Sequence, residues 1–169
     1  MSVEEHHRHG AGHAHLKLAV ITASDTRTAA NDQSGALIRE LLENAGHRIA
    51  HYEILPDSSE RIRQAVAELL PQVDGIVITG GTGIAARDVT PEATLAVCDR
   101  TVPGVAERMR AEGARKTSNA VLSRAVCGVR GTSLVLNLPG SPAAASESLL
   151  AVVEVLPHAL ELLAGRTGH

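Results

Sequence analysis

Residues 74–93 read DGIVITGGTGIAARDVTPEA, and the order of residue types in this stretch decides the fold class. Gly75 to Thr79, with Ile76, Val77 and Ile78 at its centre, has the β-branched content of a strand covered on both faces. Gly80, Gly81 and Gly83 follow at once and remove the Cβ atoms that would keep a phosphate from the backbone N–H groups. Thr90 and Pro91 have the residue types of an N-cap and a first helical position, so a helix N-terminus is expected close to that loop. Asp88, beside Arg87, lies between loop and helix. A carboxylate next to a phosphate cradle repels the ligand unless a hard cation such as Mg2+ sits between them. A strand, an anion loop and a helix in that order predict a phosphate site and a metal.

Outward from this segment the chain alternates. Leu16 to Thr22 reads as a strand ending at Ser24-Asp25. Gly35 to Ala45 carries Leu37, Ile38, Leu41 and Leu42 at helical spacing and stops at Gly46, a usual left-handed terminator. A second strand over 48–55 ends at Pro56-Asp57. Ser58 or Ser59 then caps a helix whose apolar stripe is Ile62, Val66, Leu69 and Leu70. Beyond the helix opening near Pro91, Pro103-Gly104 breaks the chain and 105–113 reads helical. Residues 121–129 fit either state. Thr132 to Leu138 is a strand ended by Pro139-Gly140-Ser141-Pro142, and 143–164 is helical, with Pro157 expected to kink or split it. Strands alternating with helices imply parallel β-α-β units with right-handed crossovers, hence a three-layer α/β/α sandwich with a mostly parallel sheet.

In such sheets ligands bind outside the carboxyl ends of the strands. The sequence places Ser24-Asp25, Asp57, Gly80 to Asp88 and Pro139 to Pro142 at those ends, so four polar or glycine-rich loops are expected on one rim. Taken singly, Asp57 before two serines also suits a helix start, and Pro-Gly-Ser-Pro also suits a plain turn. Familiar nucleotide signatures are missing: the chain contains neither GxxxxGK[ST] nor GxGxxG. Ser141 lies in PGSP rather than a GxSxG elbow, which argues against a serine hydrolase. Reactions that need positioning, Mg2+ and charge neutralisation remain, phosphoryl or nucleotidyl transfer foremost.

Composition narrows the class further. With 169 residues, 44% hydrophobic and 21% charged, a single domain with a sizeable core is expected over 16–169. Tyr52 is the only aromatic residue, so the core must be aliphatic and a base-stacking platform is missing. The net charge of −3 gives no basic footprint for nucleic acid. No wholly apolar run matches the roughly 18 to 20 residues of a membrane span, and the polar N-terminus has no apolar signal core, so a cytoplasmic location is expected. Cys98 and Cys127 have no CxxC spacing and are read as buried, reduced thiols. Residues 1–15 hold five of the nine histidines, His6, His7, His9, His13 and His15, among Glu, Gly and Ala. That composition predicts a disordered tail rather than a metal site.

The ordered set Ser24-Asp25-Thr26-Arg27, Asp32-Gln33-Ser34-Gly35, Pro56-Asp57, Thr79 to Gly83, Arg87 to Ala93, Pro103-Gly104 with Glu107, Leu122 to Ala125 and Asn137 to Pro142 is specific where each motif alone is weak. On these residues the chain, from about Leu16 to Leu163, resembles the molybdenum-cofactor biosynthesis proteins of the MoaB/MogA type. The resemblance implies a molybdopterin-binding α/β/α fold, a homotrimer, and adenylyl transfer from ATP to molybdopterin with Mg2+, the product passing to a separate metal-insertion enzyme. It further implies Asp57 and Asp88 as the catalytic pair and Mg2+ ligands, directly or through water. Gly80, Gly81, Thr82, Gly83, Pro139, Gly140, Ser141 and Pro142 are implied for nucleotide and phosphate. Ser24, Asp25, Thr117, Ser123 and Arg124 are implied for molybdopterin, with Arg124 equally suited to a surface or interface ion pair. Glu92 reads as a first-turn carboxylate favoured by the helix dipole. Where many relatives carry an aromatic after Pro-Gly this chain has Val105. Relatives that do not adenylate depart at the carboxylate matching Asp57; this chain keeps both. The competing readings are a non-catalytic molybdopterin-binding or carrier module and a structural trimer.

Overall fold

The computed structural model describes residues 15–166. Six strands form one sheet: β1 (Lys17–Ala23), β2 (Arg48–Leu55), β3 (Gly75–Thr79), β4 (Arg100–Thr101), β5 (Cys127–Arg130) and β6 (Ser133–Leu138), ordered β2-β1-β3-β6-β5-β4. The first four in that order run parallel. β5 and β4 are antiparallel to their neighbours, so the expected sheet is mostly rather than wholly parallel. β4 has only two residues and carries no period-2 pattern to announce it. The ambiguous 121–129 stretch resolves into the end of a 3₁₀ turn (Ser118–Leu122) and β5, joined to β6 by a hairpin. Gly131 turns that hairpin with φ of 55°.

Helices cover both faces: α1 (Gln33–Asn44), α2 (Ser59–Leu69), α3 (Thr90–Val97), α4 (Pro103–Ala114), α5 (Pro142–Val152) and α6 (Leu156–Leu163). The alternation of each strand sorts its side chains between two aliphatic cores. Leu18, Val20, Val77, Leu134, Leu136 and Leu138 face α1, α4, α5 and α6, meeting Ile38, Leu42, Met109, Leu149 and Leu160. Ala19, Ile21, Ile76, Ile78 and Val135 face α2 and α3, meeting Ile62, Val66 and Leu69. The sandwich is therefore three-layered, as the sequence pattern predicts. Gly46 ends α1 with φ of 91°.

The long C-terminal helical run needs two corrections. Its break falls at Val153–Val155, before Pro157, which sits in the first turn of α6 where its missing N–H costs nothing. The span Pro142–Leu163 is also long and apolar enough by composition to pass for a membrane span, contrary to the sequence reading. Its polar residues are spread along it, and Ala145, Leu149, Val152, Leu156 and Leu160 are buried against the sheet, so a core face accounts for its hydropathy.

The histidine-rich segment lies outside the described residues except for His15. That residue is exposed, and its Nδ1 meets the Gly46 carbonyl. Cys127 is buried in the α5-side core, whereas Cys98 packs on the opposite face and is only half-buried. Burial pushes their thiols up to about 12 and about 11 respectively, which leaves both protonated and inert at neutral pH.

Candidate active site

Strand order sets the place of the site. The chain leaves β1 through α1 on one face to reach β2, then crosses through α2 on the other face to β3, which pairs with the opposite side of β1. The carboxyl ends of β1 and β3 thus flank the topological switch point. A cleft of about 240 Å³ opens there, lined by Ser24, Asp25 and Arg27 after β1, Asp57 after β2, Gly80, Gly81, Arg87 and Asp88 after β3, and Gly140 after β6. All four expected loops meet on one rim.

The carboxylates of this cleft crowd one another. Asp25 accepts a hydrogen bond from the Asp57 N–H at 2.9 Å. Burial, then the charge of Asp25 and that of Asp88, push the Asp57 carboxyl above its usual range, with a backbone hydrogen bond from Asp25 and the charge of Arg87 opposing. Asp88 is held by its own loop, its Oδ2 accepting from the Ala85 N–H at 3.0 Å. Among the described residues no three His, Cys, Asp or Glu groups come close enough to hold a metal unaided. Mg2+ is typically held by one or two carboxylates with substrate phosphates and water, and an acidic pair under mutual repulsion fits that mode.

Asp32 is the acidic residue of the cleft for which sequence motifs gave no role. It caps α1 and accepts from Thr22 Oγ1 at 2.6 Å, from the Gly35 N–H at 3.0 Å and from the Tyr52 hydroxyl. Burial opposes its charge, but the bonds from Thr22, Tyr52 and Gly35 prevail and hold its carboxyl below the usual range. Burial and that carboxylate push Tyr52 up to about 12, and Arg39 stacks over the ring at 3.9 Å. The lone aromatic thus anchors the floor of the cleft. The Asp-x-Ser-Gly spacing was the available signal, since Asp followed three residues later by a helix N–H is an N-cap pattern.

The glycine loop differs from its sequence reading in two respects. The Gly80 N–H donates to the Leu138 carbonyl at 3.0 Å, so it is not free for a phosphate. Thr90 is the first residue of α3 rather than its cap, and its hydroxyl donates to the Gly80 carbonyl at 2.8 Å. The N–H groups of Gly81, Thr82 and Gly83 make no hydrogen bond among the described residues. Close packing explains the glycines as much as ligand access does. A Cβ on Gly80 would lie 2.4 Å from the Ala23 carbonyl, and one on Gly81 2.4 Å from Thr90 Oγ1.

A second cavity of about 420 Å³ lies between that loop, α4 and α5. Thr82, Gly83, Thr117, Ser123, Pro139, Gly140 and Ser141 line it together with Met109, Arg110, Leu122 and Glu147. Ser141 caps α5, Pro142 follows in its first turn, and Ser34 holds the Gly140 carbonyl at 2.7 Å. The structure separates residues that the resemblance grouped. Thr117 and Ser123 belong to this larger cavity, whereas Ser24 and Asp25 sit with Asp57 and Asp88 in the acidic cleft. Arg124 lines neither: its guanidinium binds the Gly83 and Asp88 carbonyls and Glu92. Arg110, whose Nη1 donates to the Ser123 and Ala125 carbonyls, is the only cation lining the larger cavity among the described residues and had no motif to mark it.

Fold and site together define a doubly wound α/β protein with an acidic, glycine-looped cleft joined at Gly140 to a larger cavity. Residues 19–158 match the model of the family described as the probable molybdopterin binding domain, and the chain belongs to that family. It is 38% identical over 156 residues to a molybdopterin adenylyltransferase of Helicobacter pylori, covering 89% of each chain. Over 148 residues it is 42% identical to the molybdenum cofactor biosynthesis protein B of Bacillus cereus, covering 85% of this chain and 86% of that one. Among solved structures, the molybdopterin biosynthesis enzyme MoaB of Thermus thermophilus superposes with a TM-score of 0.81 at 46% identity, over 89% of this chain and 97% of that one. The tungsten cofactor synthesizing protein MoaB of Pyrococcus furiosus gives a TM-score of 0.80 at 32% identity, over 90% and 98%.

Proposed function

We propose that this protein is a molybdopterin adenylyltransferase, transferring AMP from ATP to the terminal phosphate of molybdopterin. The observation that carries this reading is the junction at Gly140 of an acidic cleft beside free backbone N–H groups with a cavity large enough for a pterin. An oxygen of the molybdopterin phosphate attacks the α-phosphorus of ATP, the bond from that phosphorus to the bridging oxygen of the β-phosphate breaks, and pyrophosphate leaves. Mg2+ held by Asp57 and Asp88, directly or through water, would neutralise phosphate charge. The chain's own groups supply position. Gly81, Thr82 and Gly83 offer N–H groups to phosphate oxygens, and Arg27 and Arg87 add positive charge at the cleft wall. Thr117, Ser123, Pro139, Gly140 and Ser141 surround the pterin, with Ser141 and Pro142 opening α5 towards it. Ser24 and Asp25 act from the acidic side, Asp25 by holding the Asp57 backbone.

The same reading places the protein in the cytoplasm as a homotrimer that hands its product to a metal-inserting enzyme. Ile84 and Val121 are 69% and 64% exposed on segments brought side by side by the Arg124 to Thr82 backbone bond, which suits burial against a second copy. Light scattering on the purified protein measures that state directly. The enzymatic claim is tested by incubating protein, molybdopterin, ATP and Mg2+ and following adenylyl-molybdopterin and pyrophosphate. Absence of both products, with molybdopterin still bound, would replace it with the carrier reading.

A further inference from the structure

Arg124 makes more contacts to the glycine loop than any ligand-facing role requires. Its backbone N–H donates to the Thr82 carbonyl at 2.7 Å, its Nε to the Gly83 carbonyl at 2.7 Å and its Nη2 to the Asp88 carbonyl at 2.8 Å. Its Nη1 pairs with Glu92 in the first turn of α3. Thr90 holds the two preceding carbonyls, Gly80 through its hydroxyl at 2.8 Å and Gly81 through its N–H at 3.1 Å. Four consecutive carbonyls, from Gly80 to Gly83, are therefore pinned on the Thr90 and Arg124 side of the loop.

A trans peptide points its C=O and the next N–H in opposite directions. Pinning those four carbonyls aims the N–H groups of Gly81, Thr82, Gly83 and Ile84 away from Thr90 and Arg124. None of these four makes a hydrogen bond among the described residues. A run of fixed, unpaired N–H groups is an anion nest. The same guanidinium holds the backbone of Asp88, whose carboxylate packs where a Cβ on Gly83 would lie 2.8 Å away.

We propose that Arg124 is a positioning residue that sets the phosphate nest and Asp88 together, and that it contacts neither molybdopterin nor ATP. This rests on the adenylyl-transfer reading for its effect on turnover but not for its effect on the loop. Glu92 completes the device by orienting the guanidinium. A guanidinium is suited to the task because its planar fork serves several acceptors at fixed angles, which an ammonium on a flexible stem does not.

The test uses the full chain with Arg124→Ala, Arg124→Lys and Glu92→Gln, and three measurements: hydrogen exchange, binding of ATP and of molybdopterin, and turnover. Arg124→Ala and Arg124→Lys are both expected to speed amide exchange in residues 80–88 with β3 and β6 unchanged. Both should weaken ATP binding and lower turnover by about 10- to 100-fold, the usual cost of losing an outer support. Molybdopterin binding should weaken only in step with faster loop exchange, because Thr82 and Gly83 also line the larger cavity. Glu92→Gln should fall between wild type and Arg124→Ala, giving a readout even if Arg124→Ala folds poorly. Loss of molybdopterin binding with loop exchange and ATP binding unchanged would overturn the proposal in favour of direct contact. Rescue by Arg124→Lys, or exchange that rises throughout the sheet, would likewise overturn it. If wild type itself makes no product the function fails, while the exchange and ATP-binding comparison still decides the role of Arg124.

Discussion

Gly80→Ala tests whether the cleft is built on close strand packing, and Gly131→Ala is its internal control. Both glycines have positive φ, 94° and 55°, so alanine meets a left-handed backbone cost of about 1–2 kcal/mol at each. They differ in surroundings. A Cβ on Gly131 meets nothing within 4 Å, whereas on Gly80 it would lie 2.4 Å from the Ala23 carbonyl, a backbone atom at the end of β1. Relief requires the ends of β1 and β3 to part by roughly half an ångström, an overpacking cost of about 1–3 kcal/mol. It also strains the Gly80 N–H bond to Leu138, which ties β3 to β6.

Gly80→Ala should therefore lose about 3 kcal/mol and Gly131→Ala about 1 kcal/mol. For a chain of this size those losses lower the melting temperature by about 6–12 °C and about 2–4 °C. Thermal unfolding followed by circular dichroism measures both. Because the parted strand ends carry Ser24, Asp25 and Gly81, Gly80→Ala should also weaken ATP binding while Gly131→Ala leaves it unchanged. Equal melting shifts in the two variants would refute the packing argument, and wild-type ATP binding by Gly80→Ala would refute its link to the cleft.

Asp88→Asn keeps an oxygen for the Ala85 N–H, so the loop should hold; turnover should fall about 100-fold with molybdopterin binding nearly unchanged, as kcat and equilibrium binding would reveal. The same variant removes a charge that raises the Asp57 carboxyl, so the Asp57 titration followed by carbon NMR should move down towards the ordinary 3.8. Tyr52→Phe removes one donor to the Asp32 carboxylate and should cost about 1–2 kcal/mol in denaturant unfolding at neutral pH. Since the Asp32 pKa is lowered in the folded state, that difference should be fully present above about 3.8 and shrink as pH falls through the folded value. Tyrosinate absorbance, unambiguous with one tyrosine, should titrate near 12 rather than 10.0, and stability should fall as pH rises between those values because the unfolded chain loses that proton first.

Local chemistry explains which parts were legible in the sequence. Ile76 to Ile78, the glycines after them and the α1 and α2 stripes act through neighbours a few residues away, so periodicity and turn residues placed these elements. Helix pairing on alternate faces then put Asp57 and Asp88 on one rim without any knowledge of side-chain contacts. β4 escaped because two residues pair only through the non-local ladder with β5. Thr90 has the residue type of a cap, yet the competing acceptor at Gly80 draws its hydroxyl backwards, and only the folded loop reveals that carbonyl. Arg124 was hidden for the same reason. A lone arginine in a polar segment suggests an anionic partner, whereas its acceptors are mostly main-chain oxygens 36 to 41 residues away.

The division between the two cavities follows from the layers themselves. β3 and β6 are adjacent and parallel, so their carboxyl ends deliver Gly80 and Gly140 side by side, and a Cβ on Gly140 would sit 3.3 Å from the Gly80 Cα. Glycine at both positions lets the two loops touch without a side chain between them. The acidic cleft then lies towards β1 and β2, while the larger cavity lies towards α4 and α5, on the face that carries most of the aliphatic core. Two substrates that each carry phosphate on a polar heterocycle need two compartments, and Arg110, Thr117, Ser123 and Glu147 give the larger one hydrogen-bonding groups for such a ring. Their reacting phosphates must nevertheless meet. Under the proposed reaction the meeting point is the Gly80–Gly140 contact, where a larger residue on either loop would separate the very groups that must come into line.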